Sequence, residues 1–110
     1  MQITTRRLPK VTVVDVSGDI DLANSPQLRT LLLHELKELR TPRLVLNLNA
    51  VKYIDSSGIA SLIEGLKASR EAGTRFALCD LSTTVREVMQ LSKLVKIFEI
   101  FESEAQAVAE

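Results

Sequence analysis

The chain has a single cysteine, Cys79, and a single histidine, His34, among its 110 residues. A lone thiol forms no internal disulfide, and inside the apolar run "FALC" it reads as a buried structural group rather than a reactive one. One histidine and one cysteine without paired spacing make a poor ligand set, so no metal is expected. Neither sign of charge is in excess: 14 basic and 14 acidic residues give a formal net charge of +0. The basic excess or stripe that marks a nucleic-acid binder is missing. No apolar run approaches the ~20 residues of a membrane span. The opening "MQITTRRLPK" lacks the basic-then-apolar order of a secretory leader. What is present is ordinary for a folded chain, 45% hydrophobic and 25% charged, which excludes a disordered one. The expectation is one cytoplasmic domain, residues 1–110, with no membrane insertion and no direct contact with nucleic acid.

Strands and helices alternate along the chain. "QITTRRL" and "VTVVDVSG" are β-rich runs parted by Pro9-Lys10, a hairpin, and the acidic turn "GDIDLAN" follows. "SPQLRTLLLHELKELR" opens with Ser25 as N-cap and Pro26 at the first helical position. Leu28, Leu32, Leu36 and Leu39 fall on one stripe, and Thr41-Pro42 ends the helix. "RLVLNL" is a strand with Leu44, Leu46 and Leu48 on one face and Val45 on the other. A second helix carries Ile59, Leu62, Ile63 and Leu66 at core spacing and stops at Ala72-Gly73, with Lys67 and Arg70 near its carboxyl end. "RFALC" is a strand. "STTVREVMQLS" is a helix capped by Ser82 with Val85, Val88 and Met89 inward. "VKIFEIF" reads as a last strand, and Ser103 with Gln106 forms a capping box for a terminal helix. The order β-β-α-β-α-β-α-β-α implies an α/β fold with a mixed, mostly parallel sheet.

Serines near aspartates invite a hydrolase reading, and it fails. A nucleophile elbow needs G-x-S-x-G, but Ile54 stands two residues before Ser56 and Asp55 two before Ser57. His34 lies off the leucine stripe and should face solvent, with no partner to orient it as a base. Phosphate-binding glycine loops are also missing. No enzymatic activity and no cofactor are expected.

The informative stretch is "VKYIDSSGIASLIEGL". Its helix must begin near Ser56 or Ser57, and Asp55 or Ser56 can serve as its cap. A phosphate on a serine there would sit at a helix amino end, where oriented N–H groups and the macrodipole favour an anion. It would add roughly −1.5 to −2 charges beside Asp55, and beside Asp19 and Asp21 if "GDID" folds nearby. A partner docking over that end would have to desolvate the charge. The stretch could therefore act as a binding switch without refolding.

"GDID", "LVLNLNAVKYIDSSGIASLI" and "STTVREVMQLSKLVKIFEIF", in that order and at familiar separations, resemble the STAS domain, and specifically the bacterial anti-sigma factor antagonists, from about Ile3 to Phe101. The resemblance implies a STAS-type fold, four helices packed on a mixed sheet, in a protein that is a substrate and ligand rather than a catalyst. It implies that Ser56, first serine of D-S-S-G, is phosphorylated by a serine protein kinase that is itself the anti-sigma factor. The unmodified antagonist binds that kinase and frees the sigma factor, and a metal-dependent serine/threonine phosphatase restores the serine. By the same resemblance Ser57 supports or caps, Asp55 is the neighbouring acid and Gly58 lets a partner backbone approach. Asp19 and Asp21 match the family's acidic turn, although ordinary turn polarity explains them equally well. Many relatives continue D-S-S-G-L-G where this chain has Ile59-Ala60. Ile59 is carried over as a partner-binding residue, and because alanine is still small, Ala60 implies a modest change in partner fit rather than loss of the site. The docking face would join the 19–24 turn, the 56–60 helix start and part of the third helix, with Arg86 and Gln90 as candidates. STAS-like domains also resemble small adaptor subunits of lipid-transport ABC systems, which often depart from D-S-S-G.

Overall fold

In the computed structural model, which describes residues 1–109, the elements follow that order. They are β1 (Gln2–Arg7), β2 (Thr12–Ser17), α1 (Ser25–Leu33), β3 (Arg43–Ala50), α2 (Ser56–Ala72), β4 (Arg75–Cys79), α3 (Thr83–Leu91), β5 (Glu99–Phe101) and α4 (Glu104–Val108). One sheet has the order β1-β2-β3-β4-β5. β1 and β2 are antiparallel, their hairpin closed by Leu8 N–H donating to Val11 O at 2.8 Å, and every later pair is parallel.

Alternation along the strands divides the core. Leu44, Leu46 and Leu48 join Leu28, Leu32, Leu62, Val85 and Met89 in the larger cluster. Val45 joins Val11, Val13, Cys79 and Ala107 of α4 in a smaller one. Each fully buried aliphatic side chain contributes about 1.5–3 kcal/mol relative to exposure. Burial pushes the Cys79 thiol up to about 12, so it is a packed, un-ionised group. Gly73 ends α2 at φ 70, and the capping box of Ser103 and Gln106 forms as expected.

Three expectations need correction. The residue before α1 is Asn24, not Ser25. Asp21 O already accepts the Ser25 N–H at 2.7 Å, so Ser25 is inside the first turn. The leucine stripe ends at Leu36, because the chain widens into a π turn over His34–Glu38. That turn changes the phase, burying Glu35 and leaving Leu39 48% exposed. Finally, only Glu99–Phe101 of "VKIFEIF" is strand. Lys93 adopts the left-handed conformation (φ 62), and Leu94–Lys96 make one 3-10 turn, which Phe98 N–H extends by donating to Leu94 O. Phe98 then packs edge-on against Phe76, ring centroids 6.4 Å apart, so local hydrogen bonds override the strand-like composition.

Candidate functional site

The segment after β2 runs beside the segment after β3. Gly18 N–H donates to Ala50 O, Ile20 N–H to Tyr53 O and Asp55 N–H to Ile20 O, around a parallel bridge between Ile20 and Ile54. These bonds bring the 19–24 turn against the first turn of α2, so two of the three pieces of the expected face are joined.

Asp55 is the N-cap, and it links the two pieces. Its Oδ1 accepts from Ser57 N–H at 3.0 Å, Gly58 N–H at 3.1 Å and the Ser57 hydroxyl at 2.5 Å. Its Oδ2 accepts from Leu22 N–H across the gap at 3.1 Å. The Ser57 hydroxyl and the Gly58 N–H, helped by the other two N–H groups, hold the Asp55 carboxyl below its ordinary range. Of the two candidate caps, the carboxylate has the role, and Ser56 is left free.

The two serines therefore differ. Ser56 is exposed at the first position of α2, and its hydroxyl has no hydrogen-bond partner among the described residues. Ser57 is half-buried, its hydroxyl spent on Asp55. The N–H groups at this helix start are therefore less available to a phosphate than the sequence suggests. Asp55 already occupies the N–H groups of Ser57 and Gly58, and Asp55 O takes that of Ile59 at 3.0 Å. A phosphate on Ser56 would thus find few donors within the domain and would project its charge outward.

Gly58 is buried, and a need for smallness at this position lies inside the fold. A Cβ there would lie 2.6 Å from Ile54 Cγ1, 2.8 Å from Ile20 Cγ2 and 3.1 Å from Ile20 O. Glycine lets α2 start directly over the Ile20–Ile54 bridge. Ile59 is half-buried against the main core, so only part of it faces outward. Asp21 Oδ1 accepts from Ala23 and Asn24 N–H, and Asn24 Oδ1 accepts from Asp21 N–H, so Asp21 shapes the turn. Asp19 is exposed, and its carbonyl accepts from Asn24 Nδ2 at 2.7 Å. Arg86 donates to Glu102 at 3.4 Å, turned toward the β5–α4 connection, and Gln90 is exposed one turn further along α3.

Sequence reasoning passed over two apolar groups at this end, Leu22 (76% exposed) and Tyr53 (50% exposed). Both belong to the backbone stitching just described. An apolar residue inside a polar turn carries no periodic signal, so composition could not single them out.

An α/β sheet with a capped helix start offering one free hydroxyl defines a class, and the match to known proteins names it. The chain belongs to the STAS domain family, whose model matches residues 2–107. It is 27% identical over 110 residues to the anti-sigma F factor antagonist of Paenibacillus polymyxa, covering 100% of this chain and 94% of that protein. An anti-sigma factor antagonist from Mycobacterium paratuberculosis matches with TM-score 0.85 at 25% identity, covering 98% of this chain and 91% of that one. SpoIIAA in its unphosphorylated form matches with TM-score 0.82 at 20% identity, over 97% of this chain and 93% of that one. The phosphorylated form of the Bacillus protein matches with TM-score 0.76 at 19% identity, over 98% and 97%.

Proposed function

We propose that this protein is an anti-sigma factor antagonist controlled by phosphorylation of Ser56. Unmodified, it binds a cytoplasmic anti-sigma factor that is also a serine kinase, and a sigma factor is released. The observation that carries this is the division of labour in D-S-S-G: Asp55 and Ser57 cap and brace α2, while Ser56 alone offers an exposed, unbonded hydroxyl. The names of the relatives support the same role, as does the solution of SpoIIAA in unphosphorylated and phosphorylated forms.

In the forward step Ser56 Oγ attacks the γ-phosphorus of ATP held by the kinase. The Oγ–P bond forms, the bond to ADP breaks, and the hydroxyl proton passes to a base on the kinase. A serine/threonine phosphatase reverses the state by delivering water to the phosphorus, returning serine and inorganic phosphate. Asp19, Asp21 and Asp55 belong to the docking face, so a phosphate adding roughly −1.5 to −2 charges stands among like charges. A docking penalty of about 3 kcal/mol already weakens the partner more than a hundredfold.

The test is intact mass and peptide mapping after incubation with the cognate kinase and ATP, expected to place one phosphate on Ser56. Ser56→Ala should bind the kinase constitutively and Ser56→Asp about a hundredfold more weakly. Phosphate at another residue, or equal affinities of the two variants, would overturn the reading.

A further inference from the structure

The far end of the sheet carries three exposed apolar side chains close together in the sequence. Leu91 is 85% exposed, Ile97 43% and Val95 36%, all within seven residues of the α3–β5 connection. The connection is not a frayed segment. Ser92 Oγ donates to Val88 O at 2.7 Å, Lys96 N–H to Lys93 O, and both Ile97 and Phe98 N–H to Leu94 O. Phe98, 5% exposed, and half-buried Leu94 hold the turn down from beneath. The apolar groups are thus displayed by an ordered turn, and a leucine left 85% exposed projects from the surface and does not floor a groove.

Charge is distributed to match. Helices α1, α2 and α3 each leave the carboxyl end of one parallel strand and return to the amino end of the next. Their carboxyl ends and the β1–β2 hairpin therefore gather at the end of the sheet opposite Ser56. Exposed Lys10, Arg40, Arg70, Lys93 and Lys96 lie there, none of them in an ion pair among the described residues. Among the described residues, Glu35 and Glu99 are taken by Arg7 and Arg75, which leaves Glu38 and Glu71 at this end and Glu87 one helical turn before Leu91. The chain has no net charge, yet cations crowd this end while Asp19, Asp21 and Asp55 mark the other.

We infer that this end is a peripheral docking surface for an anionic lipid bilayer, with Leu91, Val95 and Ile97 dipping among the headgroups and Lys93 and Lys96 held to their phosphates. Projecting apolar groups interleaved with Lys93 and Lys96 suit a soft interface with an apolar interior under a negative surface. A nucleic acid would place phosphates against the apolar centre, and a bound peptide would need a concave seat. Among the described residues no helix is long and apolar enough to cross a membrane, so the contact is with one surface only. Docking this end turns the Ser56 end away from the membrane.

The test is co-sedimentation of the full chain with vesicles of phosphatidylglycerol and phosphatidylcholine in equal parts, against vesicles of phosphatidylcholine alone. Binding is expected to the anionic vesicles only, and to weaken in about 0.5 M salt as the Debye length shrinks. Lys96→Glu should lower the partition about tenfold or more, since each basic side chain near such a surface is worth about fivefold and the reversal adds repulsion. Leu91→Asp should lower it comparably, whereas Leu22→Asp at the opposite end should leave it unchanged. Thermal melting of each variant checks that the fold is retained. Equal sedimentation with both vesicles, none with either, or indifference to Leu91→Asp and Lys96→Glu would overturn the inference. So would a dimer in light scattering that Leu91→Asp dissolves, or retention of duplex DNA that Lys96→Glu abolishes.

Discussion

The two ends of the helical layer each hold a carboxylate below its ordinary range, by different means. At the Ser56 end Asp55 receives the Ser57 hydroxyl and backbone N–H groups. At the far end Glu35, only 3% exposed, receives the Arg7 guanidinium at 2.7 and 3.0 Å and the Thr41 hydroxyl at 2.8 Å. Burial pushes Glu35 up, and Arg7 together with Thr41 more than offsets it. A carboxylate held by a cation is neutralised where it sits and serves to fasten α1 to the hairpin. A carboxylate held by N–H groups stays an anion at the surface. The difference separates a carboxylate used for internal cohesion from one whose negative charge stays at the surface.

The contrast can be broken at several points. The largest effect is expected from Gly58→Ala, whose new Cβ would meet Ile54 and Ile20 at 2.6 and 2.8 Å. Overpacking of this kind costs about 2 kcal/mol, read as a lower denaturant midpoint, and a variant as stable as the parent would show that the helix start shifts freely. Next is Arg7→Ala, which strands the Glu35 carboxylate. Without its cation Glu35 should titrate above its ordinary value. The damage in Tm is then present near neutral pH and relieved as acid protonates the group. A Tm deficit that does not shrink in acid would count against the pairing.

Lys93→Gly works in the opposite direction. A left-handed φ of 62 is costly for a side-chain-bearing residue, so glycine should add about 1 kcal/mol of stability; unchanged stability would mean that the lysine is not strained. The smallest effect near neutral pH belongs to Asp55→Asn. The folded Asp55 carboxyl titrates below the usual ~3.9, so its contribution is fully present above about pH 4 and lost as pH falls through its lower folded value. Asparagine at this position should flatten the acid limb of Tm against pH below about pH 4, and an unaltered limb would assign that limb to other carboxylates.

The parts of the fold legible in the sequence were those written locally. Alternation in "RLVLNL" separated Leu44, Leu46 and Leu48 from Val45, and the structure places them in different clusters. Ser82 and Ser103 announced their caps, and Gly73 its stop. The misread features depend on partners distant in sequence or on a small change of helical phase. Leu39 fits the stripe until the π turn over His34–Glu38 widens it, a turn favoured by Glu35 reaching Arg7, 28 residues away. Within the site, "DSSG" marked the place, but which residue caps and which stays free was open. The bond from Leu22 N–H to Asp55, spanning 33 residues, has no counterpart in spacing or composition. The internal fit of Gly58 was not legible either, because Ile20, which it accommodates, belongs to a different connection.

The strand order has a further consequence. Every strand pairs with its predecessor in the chain, so as the polypeptide leaves the ribosome each new strand meets a sheet edge already made. The Ile20–Ile54 bridge, the Asp55 cap and the whole of α2 lie before Gly73, so the Ser56 end can be assembled while the last two strands are still being synthesised. Closure comes from α4, whose Glu104 accepts from Arg6 of β1, 98 residues earlier. The strand order thus permits assembly in the direction of translation, with α4 fastened to β1 through Arg6 and Glu104.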